Sequence, residues 1–146
     1  MNREEAKQFL SRMYQDIVSE MNIEKIPAYF SSGYVQVTDG KKMDLGELTE
    51  HMLTLKEVTR SISVSPFQLF LFDEDLQSAT LRYMVEVAKK DGSSGKIELI
   101  AIFKLDNHQI ISCHELSKVM EGGGGFAGMA SINEGKASPW EGEALS

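Results

Sequence analysis

The chain has little cysteine, little proline and no long apolar run. Cys113 is its one cysteine, which excludes an intrachain disulfide and a metal site built from several cysteines, and fits a reducing compartment. No run approaches the roughly 18 apolar residues that a membrane-spanning helix needs. The charged start, Met1-Asn2-Arg3-Glu4-Glu5, lacks the apolar segment of a secretion signal. We therefore expect a cytoplasmic protein that does not enter a membrane.

Positive charge is also scarce. Fifteen Lys and Arg residues stand against 22 Asp and Glu residues, and the formal net charge is −7. Such a chain is repelled by phosphate backbones and by anionic lipid surfaces, so we predict neither a nucleic-acid partner nor a membrane partner. Its length of 146 residues predicts one domain with a core of its own.

Glycine is concentrated near the carboxyl end, where Gly122 to Gly125 form an unbroken run. No Lys-Ser or Lys-Thr pair follows this run, so it is not a phosphate-binding loop, and no nucleophile elbow occurs elsewhere. We predict a folded domain over 1–121, a flexible tail over 122–146 with Trp140 as an isolated apolar residue, and no cofactor. Deletion of this tail is expected to leave the fold intact.

Helical periodicity dominates the first part of the chain. Apolar residues between Ala6 and Met21 recur at helical spacing, and Asn2 with Glu5 forms a capping-box pattern before them. A short helix is predicted over 23–30. A third helix is predicted to begin at Asp44, with Glu47 three residues later.

Strand patterns dominate the rest. Strands are predicted over 34–38, 61–64, 67–72, 80–88, 97–105 and 109–119. Segment 67–72 is almost entirely apolar, which predicts burial on both faces. Short polar turns join the last three strands, which predicts an antiparallel meander.

This order of elements resembles the nuclear transport factor 2-like superfamily and, within it, the SnoaL-like group. Three stretches carry the resemblance: FLSRMYQDIVSEMNIEKIPAYF from Phe9, TDGKKMDLGELTEHM from Thr38, and IAIFKLDNHQIISCHELSKV from Ile100. The resemblance implies an α+β fold in which a strongly curved, mixed but mainly antiparallel sheet wraps around the N-terminal helices. Sheet and helices then form a cone with a pocket for a small hydrophobic molecule.

The superfamily includes ketosteroid isomerase, polyketide cyclases and dehydratases, and many members only bind or dimerise. By resemblance Tyr14 lies where the isomerase keeps its oxyanion-binding tyrosine, and the alternative is a core tyrosine with a satisfied hydroxyl. The isomerase base falls on Thr38, so Asp39 needs a bulge to enter the pocket, and Asp39-Gly40 is also an ordinary turn pair. The second isomerase acid falls on Ala101, so we do not expect ketosteroid isomerisation.

His51 and Glu115 are the remaining catalytic candidates. His51 lies on the apolar face of the third helix, either as a pocket-wall residue or as an acid/base. Glu115 shares one strand face with Cys113, which by resemblance looks into the cone. In the cone, Glu115 needs a hydrogen-bonding partner such as His51 or Tyr14. The alternative is that Glu115 is a solvent-exposed charged residue at the rim of the pocket. No residue spacing supports a metal site.

The remaining residues of the predicted pocket wall are apolar, aromatic or sulfur-containing, and the periodicity of each element places them on its inward face. They are Val18, Tyr34, Leu55, Tyr83, Val85, Phe103 and Cys113. The opposite face of the long strands carries Arg82, Met84 and Glu86 and is too apolar to remain fully exposed to solvent. We therefore expect a homodimer that forms through this face. Two functions stay open: a lyase or isomerase that acts by proton transfer, and a non-catalytic module that binds a ligand or a second copy of itself.

Overall fold

The computed structural model describes residues 1–122 and Phe126, and the rest of the predicted tail, including Trp140, lies outside the described residues. Three α-helices and a seven-stranded sheet form an α+β fold, which confirms the predicted class. None of the described helices is long and apolar enough to cross a membrane.

The N-terminal helices follow the predicted pattern with one difference. Helix α1 covers Arg3–Met13, and its capping box of Asn2 and Glu5 is present. The predicted helix then continues to Tyr14–Ser19 as a π-helix instead of an α-helix. A 3₁₀ turn over Ile23–Lys25 leads into the short helix α2, Ile26–Tyr29.

Strand β1 spans Phe30–Thr38 and begins four residues before the predicted start. It pairs with β2, Lys41–Asp44, a short polar strand that the sequence pattern missed. Helix α3, Leu45–Val58, starts at the predicted capping box of Asp44 and Glu47.

Five further strands complete the sheet: β3 Thr59–Val64, β4 Leu69–Asp73, β5 Ser78–Lys89, β6 Ser94–Asp106 and β7 Gln109–Glu121. The strand order is β2-β1-β7-β6-β5-β3, and β4 also pairs with β5. All pairs are antiparallel except β1 with β7, so the predicted meander of β5, β6 and β7 is present.

The prediction that segment 67–72 is buried on both faces is wrong. Phe70 is buried, but Leu69 and Leu71 are exposed, Leu71 to 57%. Strand β4 pairs with β5 alone, and only one of its faces turns towards the core. Its apolar run belongs to a one-sided edge strand and not to a central one.

Phe126 lies within the predicted tail, yet only 2% of it is exposed and it belongs to the core. Two glycines make room for its ring. A Cβ atom at Gly95 would lie 2.7 Å from Cγ of Phe126, and one at Gly122 would lie 2.6 Å from its Cδ2. The ammonium of Lys89 lies 4.5 Å from the ring centroid. The packed unit therefore extends past residue 121.

We predict that Phe126→Ala lowers the free energy of unfolding by about 3 kcal/mol, because a buried aromatic ring is lost and a cavity is left. Urea denaturation measures the change. Leu76→Ala is the matched control, since Leu76 is 58% exposed and its truncation removes little burial. Equal midpoints for Phe126→Ala and the unsubstituted chain would mean that the ring does not pack in solution.

Candidate functional site

A cavity of about 120 Å³ lies between the inner face of the sheet and the N-terminal helices. Most of its wall is apolar, with Met13, Ile17 and Phe30 among the residues that the sequence-based prediction did not include. Ten of the eleven residues proposed from the sequence contribute to this wall, namely Tyr14, Val18, Tyr34, His51, Leu55, Tyr83, Val85, Phe103, Cys113 and Glu115.

Asp39 is the candidate that does not reach the cavity. The bulge that its role required is not at this point, because the register shift of β1 against β7 lies between Phe30 and Val35. Asp39 instead occupies the turn after β1 with a φ of 52° and is exposed. Its carboxylate accepts hydrogen bonds from the backbone N–H of Ser117, at 2.8 Å, and from the Ser117 hydroxyl. The expectation that Asp39 could act inside the pocket is corrected.

Glu115 brings a carboxyl group into the cavity wall. Strand β7 carries it on the inward face, and the parallel pairing with β1 places Thr38 directly beside it. The Thr38 hydroxyl donates to Glu115 Oε1 at 2.9 Å. Thr38 is fully buried and Glu115 is 9% exposed, so this bond lies away from bulk water. The predicted partners of Glu115 were His51 and Tyr14, whereas its hydrogen bond comes from Thr38.

Burial raises the pKa of Glu115 from its ordinary value of 4.5 to about 7. The hydrogen bond from Thr38 acts in the opposite direction, since it stabilises the ionised form, and the negative charge of Asp39 raises the pKa further. The pKa of the neighbouring Cys113 thiol is also raised well above its ordinary value, first by burial and then by the charge of Glu115. Near neutral pH, Glu115 can therefore either take up or release a proton.

Two tyrosines that line the cavity contact each other. The Tyr14 hydroxyl donates to the Tyr83 hydroxyl at 2.7 Å, and their ring centroids are 4.6 Å apart. Phe67 and Phe103 contact the Tyr14 ring edge-to-face. Burial raises the pKa of both phenols well above 10, so both are neutral donors. Because the Tyr14 proton is directed at Tyr83, the Tyr83 proton is the one left for another acceptor.

A row of polar side chains on the inward face of β1 leads to Glu115, and the sequence analysis did not find it. The Tyr34 hydroxyl donates to Gln36 Oε1 at 2.8 Å, and Gln36 Nε2 donates to Thr38 Oγ1 at 2.8 Å. All three side chains are buried. Alternation in β1 indicates that residues 34, 36 and 38 share a face. However, an amide and a hydroxyl side chain are more typical of a solvent-exposed strand face than of a cavity wall.

Two further residues set limits on the chemistry. His51 is buried in the cavity wall on α3, as one of its two predicted roles requires. Ala101, which lies opposite Glu115 on β6, brings no second carboxyl group to the site. Within the described part of the chain, no three His, Cys, Asp or Glu side chains cluster in a way that would hold a metal ion.

The Glu115 pKa predicts a pH-dependent stability. The folded-state pKa is raised, so the folded state binds the proton more tightly than the unfolded chain does, and stability is lost as pH rises from about 4.5 to about 7. The full loss is about 3 kcal/mol, from 1.36 kcal/mol per pKa unit. Glu115→Gln cannot ionise and should remove this part of the profile.

Chemical denaturation at pH 5 and pH 8 measures the effect as a difference between the two proteins. Glu98→Gln on β6 serves as the control, since Glu98 does not line the cavity and its substitution should leave the profile unchanged. Parallel profiles for Glu115→Gln and the unsubstituted protein would contradict the raised pKa.

The comparisons with known proteins agree with this architecture. No family model matches the chain. An uncharacterized protein of Schizosaccharomyces pombe is 19% identical over 130 residues, which is 88% of this chain and 98% of that protein.

Among solved structures, AusH from Aspergillus nidulans aligns with a TM-score of 0.71 at 12% identity, over 80% of this chain and 86% of AusH. A putative polyketide cyclase from Acidithiobacillus ferrooxidans has a TM-score of 0.64 at 16% identity, over 77% and 87% of the two chains. An NTF2-like protein of unknown function from Exiguobacterium has a TM-score of 0.63 at 15% identity, over 75% and 98%. The sequence resemblance is confirmed at the level of fold: this chain shares its cone fold with an NTF2-like protein and with a putative polyketide cyclase.

Proposed function

We propose that the chain binds a small hydrophobic carbonyl compound in the cavity and moves a proton on it with Glu115, as an isomerase or a lyase. The observation that carries the proposal is the buried Glu115 carboxyl group, whose pKa is raised to about 7 in a mostly apolar wall. A general base works best with a pKa near the working pH. The similarity to a putative polyketide cyclase supports a cavity of this kind but assigns no reaction, because one fold carries many reactions.

In the proposed reaction the Glu115 carboxylate removes a proton from the carbon next to the carbonyl group. The C–H electron pair forms the C=C bond of an enolate, and the carbonyl oxygen takes the negative charge. Tyr83 donates its proton in a hydrogen bond to that oxygen, and Tyr14 supports Tyr83 through the 2.7 Å bond between the hydroxyls. Protonated Glu115 then returns its proton to another carbon for isomerisation. For elimination, the enolate re-forms the carbonyl group as the bond to the leaving group breaks, and the leaving group takes that electron pair and the proton from Glu115.

The volume of the cavity supports a compact ligand. About 120 Å³ is slightly below the roughly 150 Å³ of an engineered protein cavity that binds benzene. A single ring therefore fits the cavity better than a fused ring system does.

Conversion of 3-cyclohexenone to 2-cyclohexenone tests the proton transfer, because the conjugated product absorbs in the ultraviolet. We expect the rate to rise with pH through about 7, as the Glu115 carboxylate becomes the dominant form. Glu115→Gln should lower kcat by at least about 100-fold, the usual contribution of a general base. Asp39→Asn, outside the cavity, should change the rate by less than about 10-fold.

Calorimetry with cyclohexanone separates binding from catalysis. Binding without turnover would overturn the proton transfer and leave a ligand-binding module. The absence of both binding and turnover would overturn the proposal as a whole. Equal losses of activity in Glu115→Gln and Asp39→Asn would contradict the role of the buried carboxyl group.

A second proposal concerns the opposite face of the sheet, and it favours the alternative of an interaction module. The outer apolar patch consists of five exposed residues, Leu69, Leu71, Ile100, Ile102 and Leu116. They lie in adjacent rows across β4, β5, β6 and β7. We propose that a second copy of the chain covers this patch.

Charge supports a second copy as the occupant. Arg82 lies in the same row as Ile100 and Leu116. The next row on the same face of the sheet consists of Met84, Glu98 and Lys118. Both signs of charge therefore border the patch, which suits a two-fold interface in which each surface meets its own copy. A strongly basic partner would find no continuous acidic surface in these rows.

Leu116→Glu should convert a dimer into a monomer, because it places a charge within the patch, at the end of the row formed by Leu69, Arg82 and Ile100. Leu116 is 60% exposed, and Leu76, at 58%, lies outside the patch, so Leu76→Glu is the matched control. Sedimentation at micromolar concentration gives the mass. A monomer without any substitution, or dimers for both variants, would overturn the proposal.

A further inference from the structure

The polar side chains on β1 do more than fill the cavity wall. We propose that Tyr34, Gln36 and Thr38 form a positioning device for Glu115, which holds Oε1 and leaves Oε2 as the oxygen that exchanges a proton with the ligand. We call these three residues the β1 ladder. The part of the inference that concerns proton exchange rests on the proposed function, whereas the positioning itself does not.

Donor and acceptor counts fix the direction of the β1 ladder. Gln36 Oε1 accepts from the Tyr34 hydroxyl, and Gln36 Nε2 donates to Thr38 Oγ1. A hydroxyl has one proton, so the Thr38 proton is directed to Glu115 Oε1. If the Gln36 amide were reversed, the Thr38 proton would point at Gln36, and ionised Glu115 would lose its donor.

The backbone explains why the ladder is straight and rigid. Residues 34, 36 and 38 follow one another on the inward face of β1, and Thr38 is the register partner of Glu115 on the parallel strand β7. Each hydrogen bond in the series is 2.8 or 2.9 Å long and buried. Consecutive bonds of this kind polarise one another in a medium of low dielectric constant.

The second carboxyl oxygen has a different environment. Oε2 lies 4.0 Å from Cys113 Sγ, its one hydrogen-bond partner among the described residues. A thiol is a weak donor and does not compete with a ligand for this oxygen. The two oxygens of Glu115 are therefore unequal, with Oε1 held from the strand and Oε2 available at the cavity wall.

The ladder is also part of the cavity. Tyr34, Gln36 and Glu115 contribute to its wall, whereas Thr38 does not and is fully buried. The Tyr34 ring packs edge-to-face on Phe30 with a centroid distance of 4.7 Å, which fixes the far end of the series. Tyr34 is linked to the carboxyl group through Gln36 and Thr38. Burial raises the pKa of Tyr34, and the neighbouring Cys113 and the charge of Glu115 also act directly on that pKa.

The test follows the titration of Glu115 by carbon-13 NMR of labelled glutamate, with the signal assigned by its loss in Glu115→Gln. Thr38→Val keeps the shape and removes the donor. It should raise the Glu115 pKa by about one to two units, since a hydrogen bond to a charged group contributes roughly that much. Thr38→Ser restores a hydroxyl and should bring the pKa back.

Gln36→Met and Tyr34→Phe probe the length of the ladder. Each should raise the Glu115 pKa by less than Thr38→Val does, with the smaller shift for Tyr34→Phe, because the effect weakens along the series. Thr59→Val is the matched control: Thr59 is buried, and within the described part of the chain its hydroxyl makes no hydrogen bond. That substitution should leave the Glu115 pKa unchanged.

The outcomes separate this inference from the proposed function. An unchanged pKa in Thr38→Val overturns the positioning role, and so does an equal shift in Thr59→Val. A shift in Thr38→Val with none in Gln36→Met overturns the ladder, because Thr38 then acts alone. A failure of the unsubstituted protein to convert 3-cyclohexenone overturns only the proposed reaction, since the pKa shifts are measured without a ligand.

Discussion

The parallel pairing of β1 with β7 is the contact on which the site depends. Among the described strands it is the one parallel pair, and it joins residues far apart in the chain, with Thr38 beside Glu115 at a separation of 77 positions. Through this pairing an ionisable group lies beside a buried hydroxyl instead of beside water. The same pairing ends at Asp39, whose backbone N–H donates to the carbonyl of Glu115 at 3.0 Å.

The site differs from the expected one in the positions of its polar groups. In the isomerase-like arrangement suggested by resemblance, the carboxylate belongs on β1, at or next to residue 38. In this chain β1 carries a threonine there, and the carboxylate lies across the strand pair on β7. Tyr14 also lines the cavity, but its proton is used by Tyr83. The cavity thus contains a tyrosine and a carboxyl group, but the carboxyl group is that of Glu115 on β7 and not that of Asp39.

Much of the fold follows from local signals. The capping boxes at Asn2 and Asp44 mark two helix starts correctly, because a cap is a contact within four residues. Alternation in β5, β6 and β7 places Tyr83, Phe103 and Cys113 on the cavity side, since period and face are linked in any strand. These features need no knowledge of distant residues.

The remaining features depend on contacts between distant residues. The partner of Glu115 follows from the register of β1 on β7, which no local pattern specifies. The exposure of Leu71 depends on β4 being at an edge, and the burial of Phe126 depends on two glycines, one of them on β6. The orientation of Asp39 depends on a positive φ in the turn, which the pair Asp39-Gly40 allowed but did not require.

The Glu115 pKa of about 7 has a consequence for the protein in solution. Near neutral pH the molecules include both forms, one with a neutral and one with an ionised Glu115 in the cavity wall. A ligand that prefers either form shifts the balance between them, and the shift must be matched by uptake or release of protons. The buffer supplies or accepts these protons whenever such a ligand binds. Affinities measured at different pH values therefore refer to different mixtures of the two forms of the protein.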